Sequence, residues 1–321
     1  MKTETSYGFV AFRMHKGTPE LLFLKRREGF LDVPKGHPNI GEDALDAAKR
    51  EMLEETGLKP IRIIEGFKAV LEYKLPSRKN SIKRTILMMC EVDGRPHISM
   101  EHTGFAWLSE IKARNLKMEK FVGNCKNQII EAFEYLERKR RMDELNSRYA
   151  KLPRMHGWKL SKNFVPGAGN LMAGVMLVGQ APGAEEDKLK RPFVGKSGRL
   201  LDRLISIAGL SRSELYITSI VQFFPPKNRL PTATEIDACL PYLKAQIEII
   251  KPRVIVTLGA ISSYSLAKVD KIAINHGIPV VFEGMTYFPS LHPAAGVRFK
   301  KNIELLEKDF RSLGKLVQRL K

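Results

Sequence analysis

The chain has 321 residues and three cysteines, with 54 Lys and Arg set against 35 Asp and Glu. That length suits two domains. Cys90, Cys125 and Cys239 form no CxxC pair, which excludes a disulfide scaffold and fits a reducing cytoplasm; no apolar run is long enough for a membrane helix, and the N-terminus lacks the apolar core of a signal peptide. The net charge of +19 is uneven: residues 1–150 carry 28 basic and 22 acidic side chains, so +6, which leaves +13 for residues 151–321. Such an excess is the footprint of a polyanionic partner, or of a generally basic soluble protein.

In chain order, residues 6–14 and 20–25 read as two strands joined by a turn at Lys16–Pro19. The basic run Lys25-Arg26-Arg27 is a solvated edge or a phosphate contact. FLDVPKGH at 30–37 is a loop into a helix, and Lys35 in it is placed to meet phosphate. The helix carries REMLEE at 50–55, where Glu51, Glu54 and Glu55 stand at i, i+3 and i+4 and so share one face. Three crowded carboxylates repel, and a cation between them relieves the repulsion. Hard oxygen donors suit Mg²⁺ or Mn²⁺. A solvated acidic face is the plain alternative, but it does not account for the glycine-led loop at Gly36, Arg50 beside the cluster or the Thr56-Gly57 stop. Strands follow at 61–73 and 82–92, with Tyr73 either stacking on a base or packed in the sheet. EHTGFAWL at 101–108 adds a glutamate and a short strand ending in Trp107-Leu108, with Trp107 read as core. Phe121, Ile129, Ile130, Phe133 and Leu136 have helical spacing and close the domain at residue 137. Residues 138–165 then read as an exposed helical and basic linker, with Arg138–Arg141 solvated or touching nucleic acid.

The spacing around the helix is also a family signature. Gly36, Glu42, Arg50, Glu51, Met52, Glu54, Glu55, Gly57 and Leu58 fill every defined place of the Nudix box, so residues 1–137 resemble a Nudix hydrolase. The resemblance implies an α/β/α sandwich on a mixed sheet that hydrolyses a nucleoside diphosphate linked to another group. It implies that Glu51, Glu54 and Glu55 hold Mg²⁺ or Mn²⁺, helped by the Gly36 carbonyl, and that Arg50 orients a carboxylate. VPKGH and EHTGFAWL are similar to the corresponding segments of diadenosine tetraphosphate hydrolases of that superfamily, which makes Glu101 a candidate further ligand or general base. The implied substrate is a dinucleoside polyphosphate or a modified nucleoside triphosphate.

A second α/β pattern starts near 171. Strands at 174–179, 214–221, 253–258, 279–282 and 285–290 alternate with helices at 195–208, 232–250, 260–267 and 300–320. That alternation implies a parallel sheet covered on both faces, with ligands bound beyond the carboxyl ends of the strands. GQAPG at 179–183 and LHPAAG at 291–296 sit at such ends.

GQAPG, RPFVGKSGRLLDRL at 191–204, FPPKNRLPTATEIDACLPYL at 224–243 and LHPAA occur in an order that resembles the uracil-DNA glycosylase superfamily, nearest its iron–sulfur family. The resemblance implies a three-layer α/β/α domain over 166–321 that binds DNA and receives a flipped base. It implies stacking by Phe193, stabilisation of the departing base by His292, and a loop from Pro293 to Lys301, with Arg298, on the minor groove and phosphates. The departures are specific. Gln180 stands where the relatives carry a water-assisting glutamate, and Ser219 stands where they carry a base-reading asparagine. Glu185, Glu186 and Asp187 lie near enough to substitute as a carboxylate, or serve the structure. Met155, Trp158 and Phe223 take three of the four cluster-cysteine places and only Cys239 remains, so no iron–sulfur cluster is expected and an apolar plug is expected in its place.

Overall fold

The computed structural model describes residues 2–74, 81–155 and 157–320, with the side chains of Lys2, Lys74 and Met155 outside that description. The chain divides into two compact units, Met1–Glu137 and Arg138–Lys321. No described helix is long and apolar enough to cross a membrane.

In the first unit, β1 (Lys2–His15) turns into β2 (Thr18–Lys25) through Lys16 and Gly17, both at positive φ, the backbone of a tight primed hairpin turn. There follow β3 (Leu31–Asp32), β4 (Lys35–Gly36), α1 (Ala44–Thr56), β5 (Arg62–Lys74), β6 (Ser81–Glu91), β7 (Gly104–Ser109) and α2 (Glu110–Asn115). Among the described residues the sheet runs β3-β2-β1-β6-β5, with β4 also on β1 and β7 on β2. Its long β1–β6 pairing is parallel, from Lys2 opposite Ser81 to Phe12 opposite Glu91, while its other pairings are antiparallel, so the sheet is mixed. Phe9 and Ala11 of β1 point the same way and pack with Cys90 against Ala48 and Met52, one turn apart on α1. This core presses α1 onto the sheet and leaves the Glu51–Glu55 side of the helix free for the site.

The helix α3 (Lys126–Tyr149) passes from the first unit into the second. Its Tyr135 hydroxyl donates to the Glu65 carbonyl at 2.7 Å, within the first unit. Its later half is a packed part of the second unit rather than an exposed linker. Arg138 donates to the carbonyls of Leu171 (2.9 Å) and Ile250 (2.7 Å), and Tyr149 is 1% exposed. Lys139 and Arg140 pair with Asp143 and Glu144 one turn on, so this basic run is largely neutralised by its own helix.

The second unit continues with α4 (Leu152–Met155), β8 (Ala168–Gly169), β9 (Val175–Gly179), α5 (Ala184–Leu189), α6 (Lys196–Ile207), β10 (Tyr216–Ser219), α7 (Ala233–Ile250) and β11 (Val254–Leu258). It closes with α8 (Ala260–Ala267), α9 (Ile272–Asn275), β12 (Val280–Phe282), β13 (Met285–Ser290), α10 (Pro293–Arg298) and α11 (Lys301–Arg319). The sheet order is β12-β13-β11-β9-β10-β8, and its four central strands are parallel. Every residue of β9 and β11 is buried, as strands covered on both faces require. Leu201 and Leu204 of α6 and Leu306, Phe310 and Leu313 of α11 pack on Leu177, Val256 and Phe288. The edge strands β12 and β8 are antiparallel. For β12 the cause is local: Glu283 (φ 48°) and Gly284 (φ 75°) form a two-residue turn, which can join only antiparallel neighbours. Parallel pairing of Gly179 with Ser219 and of Leu258 with Ser290 brings these strand ends to one side of the sheet.

Candidate active sites of the two units

The first site is built on α1. Asp43 caps its start by accepting the N–H groups of Leu45 (2.8 Å) and Asp46 (2.9 Å), and Gly57 (φ 68°) ends it by donating to the Leu53 carbonyl. Between these caps Arg50 holds three carboxylates rather than one. It reaches both oxygens of Glu42 at 3.0 Å, Glu51 at 2.8 Å and Glu54 at 3.0 Å, and also donates to the His37 carbonyl. The Arg50 hydrogen bonds keep the Glu42 carboxyl below the ordinary glutamate range. Gly36 serves by its lack of a side chain: a Cβ there would lie 2.0 Å from the Glu51 carboxylate. Glu54 is 58% exposed.

Glu55 lies deeper. It accepts the Lys35 backbone N–H at 3.0 Å and faces His102 Nε2 at 3.2 Å, and burial pushes its carboxyl upward. Glu55, Glu101 and His102 each offer a ligand atom within 4.8 Å of the others. Carboxylate and imidazole donors fit a divalent cation, so this group suits a metal; of the three box glutamates it includes Glu55 alone, while Glu51 and Glu54 turn to Arg50. His102 escaped the sequence reading, although it directly follows Glu101. The Lys35 side chain does not reach out for phosphate. It is buried on Asp32, which also accepts Arg26 Nε at 2.8 Å. A buried carboxylate needs a countercharge, and Lys35 is three residues away.

The second site is a cleft of about 360 Å³ lined by Gln180, Phe193, Ser219, Asn228, His292 and Arg298 among others. It therefore brings together Gln180, Phe193, Ser219, His292 and Arg298, the residues that the resemblance assigns to base and DNA binding. Ser219 ends β10, and the loop after it is tied to GQAPG by Ile220 N–H to the Gly179 carbonyl (3.0 Å) and Val221 N–H to the Gln180 carbonyl (3.1 Å). The ring centroids of Phe193 and His292 are 5.8 Å apart with planes 28° from parallel. Gly179 makes room for this ring, since a Cβ there would lie 2.7 Å from Phe193 Cζ.

His292 caps α10, its Nδ1 accepting the Ala294 N–H at 3.1 Å. A neutral ring with that acceptor must carry its hydrogen on Nε2. Burial, aided by the positive Arg298, pushes the imidazole down to about 4, while Glu186 acts in the opposite sense. Two residues upstream, the Ser290 hydroxyl donates to Asp309 at 3.0 Å, and His276 Nδ1 lies 2.8 Å from the same carboxyl group. Arg298 is exposed at the end of α10, and Phe299 after it is 59% exposed at the cleft.

Of the three acids after GQAPG, Glu186 is a brace. One of its oxygens accepts the N–H of Val194 and Gly195, both at 2.9 Å, and the other accepts that of Gly183 at 3.1 Å. Glu185 is exposed, and Asp187 meets the Asn163 amide at 3.2 Å.

The donor set does not fit an iron–sulfur cluster, which takes four ligands. Cys90 and Cys125 belong to the first unit, and Cys239 alone to the second. Near Cys239, which hydrogen-bonds Tyr149, aromatic rings fill the space. Tyr149 stacks on Tyr242 at 4.5 Å and meets Phe164 and Phe223 edge-on at 5.5 Å, and its hydroxyl donates to the Ile220 carbonyl at 3.0 Å. Phe223 is fully buried and Trp158 half-buried, while the Met155 side chain lies outside the described residues.

Comparison with known proteins divides the chain in the same way. The NUDIX domain family matches residues 4–126, and the uracil DNA glycosylase superfamily matches residues 166–321. A type-4 uracil-DNA glycosylase of Saccharolobus solfataricus is 44% identical over 166 residues, 49% of this chain and 77% of the relative. A mouse bis(5'-nucleosyl)-tetraphosphatase (asymmetrical) is 32% identical over 111 residues, 32% of this chain and 76% of the relative. Among solved structures, an Ap4A hydrolase of C. elegans is 24% identical with a TM-score of 0.33, over 40% of this chain and 98% of that one.

Proposed function

The chain belongs to the NUDIX family through its first unit and to the uracil-DNA glycosylase superfamily through its second, and from that premise we propose a hydrolase with two sites, one for nucleotides and one for DNA. The first site splits the phosphoanhydride of a dinucleoside polyphosphate, the class named by the mouse relative, or of a modified nucleoside triphosphate. Gly36, Glu51, Glu54, Glu55 and Glu101 would hold Mg²⁺ or Mn²⁺, and such an ion supplies charge to offset that developing on the phosphoryl oxygens. Arg50 sets the Glu51 and Glu54 carboxylates in place. The convergence of Glu55, Glu101 and His102 carries this reading.

The second site receives a deaminated base flipped out of DNA. Phe193 stacks on it, the Ser219 hydroxyl and Gln180 amide meet its edge, and Arg298 holds a neighbouring phosphate. As the glycosidic bond breaks, the pair of electrons stays with the base, and the Nε2–H of neutral His292 donates to the oxygen where negative charge collects; water from solvent adds to the sugar C1′, and the proton it loses ends on the released base. The gathering of Phe193, Ser219, His292 and Arg298 in one cleft carries this reading. One observation favours a second reading, in which the unit holds a flipped base without cutting. Gln180 cannot act as a base, and both oxygens of Glu186, the carboxylate that lines this cleft, are occupied by N–H groups. The test is the full chain at low salt on single- and double-stranded oligonucleotides carrying uracil, hypoxanthine or xanthine. Abasic-site cleavage supports the glycosylase; tight binding without cleavage supports the holder; neither rejects both. Turnover of diadenosine tetraphosphate with Mg²⁺, lost in Glu55→Gln, tests the first site.

A further inference from the structure

His102 lies outside the glutamate motif of the first unit, yet its ring is set against Glu55 of that motif and gathers with Glu101. Its side chain is 3% exposed. Nε2 lies 3.2 Å from a Glu55 oxygen, and Nδ1 is buried with no hydrogen-bond partner. A buried polar atom left unsatisfied is costly, and native cores rarely carry one without a use for it. The ring's place is fixed by backbone. The loop from His97 to His102 is tied to the last turn of α1 by His97 N–H to the Thr56 carbonyl (2.8 Å) and Ser99 N–H to the Glu55 carbonyl (3.3 Å), and then folds on itself through His102 N–H to the Ser99 carbonyl (3.2 Å). Gly57 permits this approach, since a Cβ there would lie 3.3 Å from the His97 Cβ.

The geometry points to His102 as a nitrogen ligand of a divalent cation shared with Glu55 and Glu101; this rests on the metal-dependent reading of the first unit. Mg²⁺ keeps to hard oxygen ligands and water, whereas imidazole suits Fe²⁺, Ni²⁺, Cu²⁺ and Zn²⁺. The site therefore favours a nitrogen-accepting transition cation over Mg²⁺; His102 is the residue that makes the selection, and Mn²⁺ serves as its paramagnetic probe.

The test uses the full chain and Mn²⁺ as the probe. Spin-echo modulation of bound Mn²⁺ should show coupling to a nitrogen-14 nucleus in the wild type and lose it in His102→Gln. In the variant, Mn²⁺ affinity read from loss of the free-ion EPR signal should fall by about tenfold, while Mg²⁺ affinity by calorimetry stays within about twofold. No nitrogen coupling in the wild type overturns the assignment, and that result does not depend on how the variant folds. Coupling that survives in His102→Gln, or an equal fall for both ions, overturns it too. If Mg²⁺ supports hydrolysis without nitrogen coupling to Mn²⁺, this inference alone fails; if neither ion binds, the metal-dependent reading fails with it.

Discussion

Burial keeps the His292 ring neutral, and Arg298 adds to the effect by repelling a second positive charge. Folding therefore lowers the pKa of this group from the ordinary value near 6.5. Below that value the unfolded chain takes up a proton that the folded cleft refuses, so the stability contributed by His292 falls as pH drops toward about 4 and changes no further below. We expect nitrogen NMR to place the His292 midpoint near 4, and Arg298→Ala to raise it. His292→Gln should make the stability slope between those two limits shallower by the share of one proton; a wild-type midpoint at the ordinary value would refute the burial argument. Phe193, Gln180, Ser219 and His292 are legible because the motifs that resemble the glycosylase superfamily follow one another in order along the chain, and the fold then brings all four to one cleft. Glu186 was not, since three acids in a row look alike until the N–H groups of Gly183, Val194 and Gly195 select one. Lys35 was misread for want of a partner, although Asp32 stood a few residues before it.

The segment leading into α6 holds Phe193 at φ 52°, a left-handed conformation that costs a side-chain-bearing residue about 1–2 kcal/mol. The surroundings over-determine it. Arg212 donates to the carbonyls of Pro192 (2.6 Å) and Phe193 (3.1 Å), and Glu186 accepts the next two N–H groups. Beneath lies Gly198 on α6, where a Cβ would come within 2.0 Å of the Phe193 carbonyl oxygen. Backbone cannot retreat as a side-chain tip can, so Gly198→Ala should cost about 1–3 kcal/mol in urea unfolding and weaken binding of base-modified DNA. Unchanged binding would show that the position of Phe193 does not matter to the cleft. Gly36→Ala belongs to the same scale. Its Cβ would displace the Glu51 carboxylate while leaving the Asp43 and Gly57 caps of α1 intact, so nucleotide hydrolysis should be lost with helix content unchanged by circular dichroism. Helices and central strands were legible here because α6, α11, β9 and β11 carry clear periodicity or unbroken apolar runs. The antiparallel edges were not: the strand at 279–282 is read from its residues but its direction comes from the turn at Glu283-Gly284, and β8, two residues long, shows no pattern.

At the scale of the whole chain, charge separates the two halves. Residues 151–321 hold +13 of the total +19, and Arg298, Lys300 and Lys301 stand exposed beside the cleft. Composition gave that asymmetry. It did not give the fate of the basic run in α3, where Arg138 is consumed by carbonyls and its neighbours by Asp143 and Glu144, because helical spacing alone does not say which helix faces are covered. DNA affinity should therefore depend on Arg298, Lys300 and Lys301 and little on Lys139 or Arg140. Each phosphate neutralised adds roughly −0.9 to the slope of log affinity against log salt, so three contacts contribute about −3. Replacing all three with alanine should flatten the slope by about that amount, while Lys139→Ala with Arg140→Ala should leave it within about half a unit. Glu55→Gln should abolish nucleotide hydrolysis and leave this slope unchanged. If the helix pair carries the salt dependence instead, DNA is held by α3, and the cleft of the second unit is not where the strand lies.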